Sequence, residues 1–381
     1  MSLGIFATLL TAASLCVGTA RGAEAQPQLA TPASGELAFP GAVGFGAHAT
    51  GGRGGETYHV TTLADSGTGS LRDGVSRGHR IVVFDVGGYI ELKSALHIGS
   101  DVTVSGQTAP GQGVATRDAE VSLSDSHNVI VQYIRFRQGV APKEEHKSAI
   151  NVHDGSDIIL DHVSIEWGRW DTLDMTGGSD ITVQYSIIGP GVAPQRFGSL
   201  CETDGVTFDH DLWIDNHSRN PKSKGKVQFI NNVVYNWQLD AYIIGASAGK
   251  NWHDVVGNYF IAGPDTKHGP FARGNANSQI YARDNYYDDA KNGKLDGKLV
   301  PESELGPVTI LKEPFAPLPE QIDTAEQAYQ KIVAGVGCSL HRDSVDARLI
   351  DDLTSLGTKG KIINSPDDMG GFGDLGVAAA K

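Results

Sequence analysis

The feature that most constrains the fold is a short strand pattern that recurs seven times between residues 129 and 287. In each copy, two apolar runs rich in β-branched or aromatic residues flank one polar or ring-bearing residue. These central residues are Tyr133, His162, Tyr185, His210, Asn232, Asn258 and Asn285, separated by 29, 23, 25, 22, 26 and 27 residues. Such uneven spacing argues against a propeller and is typical of a solenoid whose turns carry loops of different length. We therefore predict an all-β fold, a parallel β-helix.

The repeat also decides how two histidines are interpreted. His162 and His210 are of a type that often serves in catalysis or metal binding. Here they share a repeat position with tyrosines and asparagines, where stacked residues satisfy one another and the backbone. We predict structural stacking for both histidines. For Asn231 and Asn232 we predict a ladder in which side-chain amides bond to the neighbouring turns.

The N-terminus predicts a secretory signal peptide over residues 1–25. An apolar run from Leu3 to Val17 precedes Ala23-Glu24-Ala25, which offers an A-x-A cleavage site, although no Lys or Arg stands before the run. The run is too short to favour a membrane span. We therefore expect a secreted, extracellular protein that has no membrane anchor.

The rest of the chain is predicted to be a linker and one domain. Residues 26–37 are rich in Pro, Ala, Thr and Ser and form the linker, and residues 38–381 form a single β-helix domain. From about residue 317 to 375 the apolar spacing becomes helical, with Asp323 and Thr324 as a start signal. A solenoid needs its open end covered, so we predict a small C-terminal helical cap.

Composition narrows the function. Lys plus Arg number 31 against 45 Asp plus Glu, a formal charge of −14, which argues against a nucleic-acid partner. The 48 glycines and 40% hydrophobic residues indicate a turn-rich folded chain. Without Cys16 in the signal peptide, Cys201 and Cys338 could form one disulfide or remain buried thiols.

A local basic stretch stands out from the acidic whole. Between Asp215 and Asp240 the sequence has no acid, and it contains the four cations Arg219, Lys222, Lys224 and Lys226. In an extended strand the three lysines would project from one surface, where they could attract a polyanion. On charge alone, a solvated basic loop is at least as favoured.

Two acidic stretches could hold a metal ion. Asp171 and Asp174 could bind Ca²⁺, which prefers oxygen ligands, although spacing alone favours ion pairs with Arg169 or Arg196. Residues 288–297 have the outline of an EF-hand loop, with Asp288, Asn292 and Asp296 at ligand positions. Ala290 and Leu299 replace two of its usual ligands, so a polar turn is favoured there over weak calcium binding. The Gly-rich residues 41–55 lack the Lys of a phosphate loop and predict a tight capping segment.

Several long segments carry a family resemblance. They include RIVVFDVGGYIEL (80–92), SGQTAPGQGV (105–114), DHVSIEWG (161–168), NHSRNPKSKG (216–225) and VQFINNVVYNW (227–237). From about Ala38 to the C-terminus the chain resembles polysaccharide lyase family 1, the pectate lyases, and most of all their secreted fungal group called pectate lyase C. The resemblance implies a right-handed parallel β-helix and calcium-assisted cleavage of polygalacturonate by β-elimination.

The resemblance also implies roles for the basic residues. Arg219 matches the position of the family's catalytic base, and Lys224 matches a second basic position. Arg196 is a weaker candidate for substrate binding. Lys222, in the basic stretch, is a further substrate-binding candidate. Because arginine rarely loses its proton in proteins, Arg219 either acts as a base through a special environment or only clamps charge.

The implied calcium site departs from the family pattern. Ser148 and Trp170 stand where the family has carboxylates, whereas Asp174 matches a ligand position and Asp171 could substitute after a shift of one residue. Since calcium affinity follows ligand charge, two lost carboxylates should weaken the site. Calcium could bridge protein and substrate, a cation such as Arg169 could replace it, or activity could be lost. We favour the first.

Two function classes remain. One is a monomeric lyase acting on pectate, or on methylated pectin without calcium, and the other is a silent β-helix that binds acidic glycans. Hydrolysis is disfavoured because glycosidases usually need two carboxyl groups that flank the bond, and none lies near Arg219 in the sequence. Asn216 begins a glycosylation sequon so close to Arg219 that we expect it to be unused.

Overall fold

The computed structural model describes residue 1 and residues 35–245 and 248–379. Apart from residue 1, the predicted signal peptide lies outside these residues, as does most of the predicted linker. Within the described part, parallel strands wind into a β-solenoid, which confirms the fold predicted from the repeat. One sheet holds 16 strands and another holds 11; the second has nine parallel strands between two antiparallel end strands, which corresponds to about nine turns.

The strands form three faces along the solenoid. The first face contains Glu56–Val60, Arg80–Phe84, Val102–Ser105, His127–Gln132, Ser156–Asp161, Asp171–Gln184, Phe197–Asp209, Lys222–Ile230, Asn251–Val256, Ser278–Arg283 and Thr309–Ile310. The second face contains Val86–Glu91, Val114–Arg117, Arg135–Arg137, Ser164–Glu166, Ile187–Ile188, Leu212–Ile214, Val233–Tyr235, Tyr259–Ile261 and Tyr286–Asp288, with Ala378–Ala379 and Lys298–Leu299 at its edges. The third face contains Leu96–His97, Val121–Ser122, Ile150–His153, Tyr242–Ile244 and Phe271–Ala272, together with the first halves of the long strands that begin at Asp171, Phe197 and Lys222.

Parallel register places like residues above one another in the core. On the first face one inward column consists of Val104, Val131, Leu160, Val183, Phe208, Phe229 and Val255, all buried. Side chains alternate between the two surfaces of a strand, so a slip of one residue would expose this column to water. The apolar alternation therefore fixes the register.

The predicted stacking is confirmed, with a correction to the alignment. The rings of Tyr133, His162, Tyr185 and His210 stack in that order with centroids 4.7, 5.1 and 4.8 Å apart. The next residue of this column is Asn231, because Asp209 pairs with Ile230. Asn232, Asn258 and Asn285 form a separate ladder one residue further on, in which each amide bonds to the next. The alignment from sequence was therefore one residue off in the last three turns.

Two helices of the C-terminal segment confirm the predicted helical region. They are Ala325–Gly335, which begins with a capping box made by Thr324 and Gln327, and Ser344–Thr354. Both pack against the outward apolar residues of the second face, among them Leu212 and Val233. The helices therefore cover a flank of several turns rather than an open end, because the apolar outer surface of this face needs cover. Shorter helical turns are Leu71–Gly74, Gly106–Thr108, Pro142–Glu144, Glu302–Leu305, Ser339–His341 and Pro366–Met369.

A buried ionic cluster fastens the helix Ser344–Thr354 and its N-cap to this face. Arg137 contacts Asp343 at 2.6 Å, Asp346 at 2.9 Å and Glu166 at 2.5 Å. Arg135 contacts Asp346 at 3.3 Å. The five side chains are at most 1% exposed. Two arginines thus face three carboxylates away from solvent.

The Gly-rich segment lies across the first face. The amide of Gly46 donates to Thr182 Oγ1 at 2.9 Å, and that of Gly52 donates to Thr103 Oγ1 at 3.0 Å. A Cβ on Gly46 would lie 2.2 Å from the carbonyl oxygen of Ile158, so only glycine allows this approach. Like the helices, this segment covers a flank.

Two further sequence questions have direct answers. Cys201 and Cys338 are separate, buried free thiols, so the disulfide alternative is wrong. Among the described residues, no helix is long and apolar enough to cross a membrane.

Candidate functional site

The predicted acidic and basic sets meet on the outer surface of the third face. Arg219 Nη1 lies 3.0 Å from Asp171 Oδ1 and 2.8 Å from Asp171 Oδ2, although 48 residues separate the two in sequence. Asp174 and Lys222 share one outward column of this face, in register through Leu200. The solenoid therefore joins the two stretches that sequence reasoning had treated separately.

Backbone contacts fix the turn that presents Arg219. Arg219 has a positive φ of 63°, an uncommon conformation for a residue with a side chain. Its carbonyl accepts from the amide of Ser199 at 2.7 Å, and the amide of Asn220 donates to Ala241 O at 2.8 Å. The buried Asn216 side chain donates to Asn220 Oδ1 at 3.0 Å. These contacts from three turns hold Arg219 in place.

The immediate surroundings of Arg219 are apolar on one side and acidic on the other. Its guanidinium carbon lies 4.0 Å from the centroid of the Phe197 ring, and its side chain is 19% exposed. Asp171 is fully buried, and burial raises the pKa of its carboxyl to about 7 despite the nearby Arg219 guanidinium. Because Asp171 and most of the Arg219 side chain are shielded from water, their charges interact strongly with any ligand group that enters beside them.

The three lysines project outwards from the strand Lys222–Ile230, as predicted from their alternation. Ser223, between the first two, is buried. Burial, with the Arg219 guanidinium, lowers the pKa of Lys222, and burial lowers the pKa of Lys224. Lys224 is ion-paired with Glu202, and Lys226 Nζ lies 2.9 Å from Asp204. The row is therefore basic but largely paired with acids of the preceding turn.

Asp174 is the carboxylate with spare capacity. Its Oδ1 is buried and has no hydrogen-bond partner among the described residues. Burial raises the pKa of Asp174, and Glu120 raises it further while Arg219 opposes the rise. Glu120 was missed by sequence reasoning because it belongs to no motif and lies 54 residues earlier in the chain. It is 7% exposed, lies 3.5 Å from Lys147 Nζ and accepts from the amide of Ser148 at 3.3 Å.

This donor set fits a calcium ion only in part. Asp174 offers a free buried oxygen, but both oxygens of Asp171 are engaged by Arg219. Among the described residues, no group of three or more His, Cys, Asp or Glu is placed to hold a metal ion. A cation here would need further oxygens from outside the protein, such as those of an acidic substrate.

Other residues singled out from the sequence lie at the edge of the site or away from it. Arg196 is partly exposed, and its Nε donates to Asn364 Oδ1 of the C-terminal segment at 3.0 Å. Arg169 donates to the carbonyls of Ala193 and Ala141. Both of these contacts are with backbone oxygens and not with Asp171 or Asp174. The predicted pairing of Asp171 with Arg169 or Arg196 is therefore wrong, because Arg219 occupies that place.

The acidic side chains of the EF-hand-like loop are hydrogen-bonded within the loop itself. Asp288 Oδ1 and Oδ2 each accept a backbone amide at 3.1 Å, from Ala290 and Asp296. The Asn292 amide nitrogen donates to Asp296 Oδ2 at 3.1 Å. These hydrogen bonds are those of the polar turn that the sequence favoured, and they use the oxygens that calcium would need.

The geometry around Asn216 agrees with an unused sequon. The residue is fully buried, and its amide nitrogen donates to Ile188 O at 2.9 Å and to Asn220 Oδ1 at 3.0 Å. A glycan on this nitrogen would break the turn that carries Arg219.

Comparison with known proteins identifies the chain's relatives. A scan against protein-family models finds no match. The chain is 47% identical over 345 residues to a probable pectate lyase C of Emericella nidulans, covering 89% of this chain and 81% of that protein. It is 46% identical to a probable pectate lyase C of Aspergillus fumigatus, with 89% and 82% covered.

Solved structures share the fold at low sequence identity. The thermostable pectate lyase PL 47 matches with a TM-score of 0.61 and 12% identity over 80% of this chain and 98% of that one. A pectate lyase of Bacillus sp. N165, solved in complex with trigalacturonate, matches with a TM-score of 0.54 and 16% identity over 79% and 99%. Because the fungal relatives are 46–47% identical to this chain over most of both lengths, the chain belongs to the pectate lyases, together with the fungal pectate lyase C proteins.

Proposed function

We propose that the protein is a pectate lyase that cleaves (1→4)-linked α-D-galacturonan by β-elimination, giving 4,5-unsaturated oligogalacturonides. The observation that carries the proposal is Arg219, fixed against the buried Asp171 beside an outward row of lysines. The curated relatives support the same activity. A flat, charged outer face suits an extended anionic polymer better than a small molecule enclosed in a pocket.

The reaction removes the proton on C5 of a galacturonate residue. The C5–H electrons form the C4=C5 double bond, the C4–O bond breaks, and the departing oxygen takes a proton from solvent. The negative charge that develops next to the carboxylate is stabilised by nearby cations. In this site Lys222, whose pKa is lowered by burial and by the nearby Arg219 guanidinium, supplies positive charge, Lys224 binds a neighbouring sugar, and Arg219 is the group at the reacting carbon.

The role of Arg219 depends on Asp171. The salt bridge favours a protonated guanidinium, which suits charge clamping. To accept the C5 proton, Arg219 must first release a proton of its own to solvent, which becomes easier if Asp171 turns to another cation when substrate binds. In both roles Arg219 lies at C5 of the reacting sugar, so its removal should abolish turnover in either case.

Calcium would be held mainly by Asp174, with Asp171 as a second ligand and the substrate carboxylate completing the set. When bound, the ion would neutralise that carboxylate and acidify the C5 proton. The free oxygen of Asp174 supports this assignment. The substrate carboxylate is included because the described residues alone supply too few oxygens for a calcium ion.

Secretion is part of the proposal and is supported by the apolar run before Ala23-Glu24-Ala25. We propose that the extracellular form acts as a monomer. Expression in a secreting host, followed by N-terminal sequencing and light scattering, should give a monomer that starts near residue 26.

The experiment that tests the activity is ultraviolet absorbance of the unsaturated product. The purified chain is incubated with polygalacturonate and with highly methylated pectin, each with calcium and with a chelator. We expect calcium-dependent absorbance on polygalacturonate and none from Arg219→Ala. Absorbance on methylated pectin alone, unchanged by the chelator, would indicate a pectin lyase instead. Reducing ends without absorbance would indicate hydrolysis, and binding without either would indicate a silent glycan-binding protein.

A further inference from the structure

Most of the cations beside the reacting centre are paired with carboxylates of the protein itself. The basic stretch that begins at Arg219 carries the cations Arg219, Lys222, Lys224 and Lys226, and the two preceding turns carry the carboxylates Asp171, Asp174, Glu202 and Asp204. Three of the cations have an ion-pair partner in this set: Asp171 for Arg219, Glu202 for Lys224 and Asp204 for Lys226. An acidic sugar that binds one of these paired cations must therefore compete with the carboxylate that already contacts it.

Glu202 is the carboxylate placed to matter for a neighbouring sugar. It lies directly opposite Lys224 in the parallel register, and both side chains are partly exposed, at 35% and 25%. Its column lies two residues along the strands from the Asp174–Leu200–Lys222 column, on the same outward surface. Two residues span about 6.6 Å in a strand, so Lys224 and Lys222 are far enough apart to face different sugars of an extended chain.

We propose that Glu202 sets the enzyme's preference for a galacturonan that carries a methyl ester at the sugar beside Lys224. The inference rests on the lyase function proposed above and concerns the substrate of that same site. A free carboxylate at this position competes with Glu202 for Lys224 and is repelled by Glu202. A methyl ester carries no charge, so it meets a neutral pair at no such cost.

The first part of the test compares substrates on the wild-type protein. Unsaturated product is measured, at fixed ionic strength and a pH where glutamate is ionised, on polygalacturonate and on pectin of intermediate esterification. We expect the partly esterified substrate to give the higher kcat/KM. Absence of product from both substrates would contradict the proposed function itself.

The second part removes the competing charge. In Glu202→Gln, we expect the ratio of kcat/KM on polygalacturonate to that on the partly esterified pectin to rise about 2- to 5-fold, mainly through a lower KM on polygalacturonate. In a Lys224→Gln background the same substitution should change this ratio less, because the competition for Lys224 is gone.

Asp204→Asn is the matched control. It removes the same charge from the next ion pair, but Asp204 is 66% exposed and is paired with Lys226 instead. We expect its selectivity ratio to match that of the wild type. If Glu202→Gln changed both substrates equally, or if Asp204→Asn shifted the ratio as much, the assignment to Glu202 would be overturned while the lyase function stood.

Discussion

Arginines face carboxylates on two flanks of this solenoid, and the two flanks differ in burial. On the third face Arg219 meets Asp171 with its side chain 19% exposed. On the second face Arg137 meets Glu166, Asp343 and Asp346 with no exposure. In the first region an incoming ligand can reach the guanidinium, and in the second only another part of the chain can.

The difference shows how one kind of contact serves two purposes. The buried cluster attaches the C-terminal segment, and removing one partner there leaves charges with neither water nor a counterion. On the third face the Arg219 guanidinium is itself partly exposed, so its removal opens the buried Asp171 to solvent, and the carboxyl, whose pKa burial raises to about 7, can take up a proton. We therefore expect substitutions on the second face to change stability and substitutions on the third face to change activity.

The largest expected effect on folding comes from Arg137→Met. Loss of the guanidinium leaves three buried carboxyl groups with Arg135 alone, so the free energy of unfolding should fall by about 3–5 kcal/mol, measured by chemical denaturation. Lys359→Met is the matched control, because it breaks an exposed pair with Asp351 in the same segment. Its stability should match the wild type, and an equal loss in both variants would show that burial does not decide the outcome.

Asp174→Asn should raise the stability of the fold and at the same time weaken calcium-dependent activity. Burial raises the pKa of Asp174, so its charge destabilises the fold at neutral pH, and the amide should raise the thermal midpoint. The calcium concentration needed for half-maximal product formation should increase by at least about tenfold.

Asp180→Asn is the control for this pair of effects. Asp180 is another partly buried aspartate whose pKa is raised by burial, and it lies away from Arg219. It should also stabilise the fold but leave the calcium requirement unchanged. An unchanged requirement in Asp174→Asn would remove Asp174 from the proposed calcium site.

A smaller effect concerns pH and the buried cluster. Burial, with the neighbouring Asp346, outweighs the Arg137 guanidinium and raises the pKa of Glu166 to about 8. The folded chain then binds more protons than the unfolded chain above pH 4.5, so this group makes stability fall as pH rises towards 8.

Glu166→Gln should remove that dependence. Its free energy of unfolding, measured from pH 5 to 8, should vary less steeply than that of the wild type, by up to about 1.4 kcal/mol per pH unit. Parallel profiles for the two proteins would mean that the cluster holds its proton elsewhere.

The fold could be predicted from the sequence because each turn of the solenoid repeats a similar local strand pattern. The stacking of Tyr133, His162, Tyr185 and His210 follows directly from that period. Local pattern did not reveal the shift from His210 to Asn231, because an asparagine also stands at the next position and only pairing between strands separates the two. The position of the C-terminal helices depends on which face has an apolar outer surface, which the helices' own sequence does not contain.

The candidate site was predictable in its parts but not in its pairing. Arg219 and the lysine row stand in one motif, so resemblance found them. The contact between Arg219 and Asp171 joins separate turns, and Glu120 approaches Asp174 from a third. The counterion of Lys224, Glu202, was missed for the same reason, although an acid one turn before a basic residue is a signal that could be sought once the register is known.

The central claim is that Arg219 serves the substrate and not the fold. Its most direct test measures formation of unsaturated uronide from polygalacturonate and the thermal midpoint on the same preparation of Arg219→Ala. We expect product formation to fall by at least about 100-fold while the midpoint stays near that of the wild type. Retained product formation, or a loss of activity that only follows unfolding, would contradict the account.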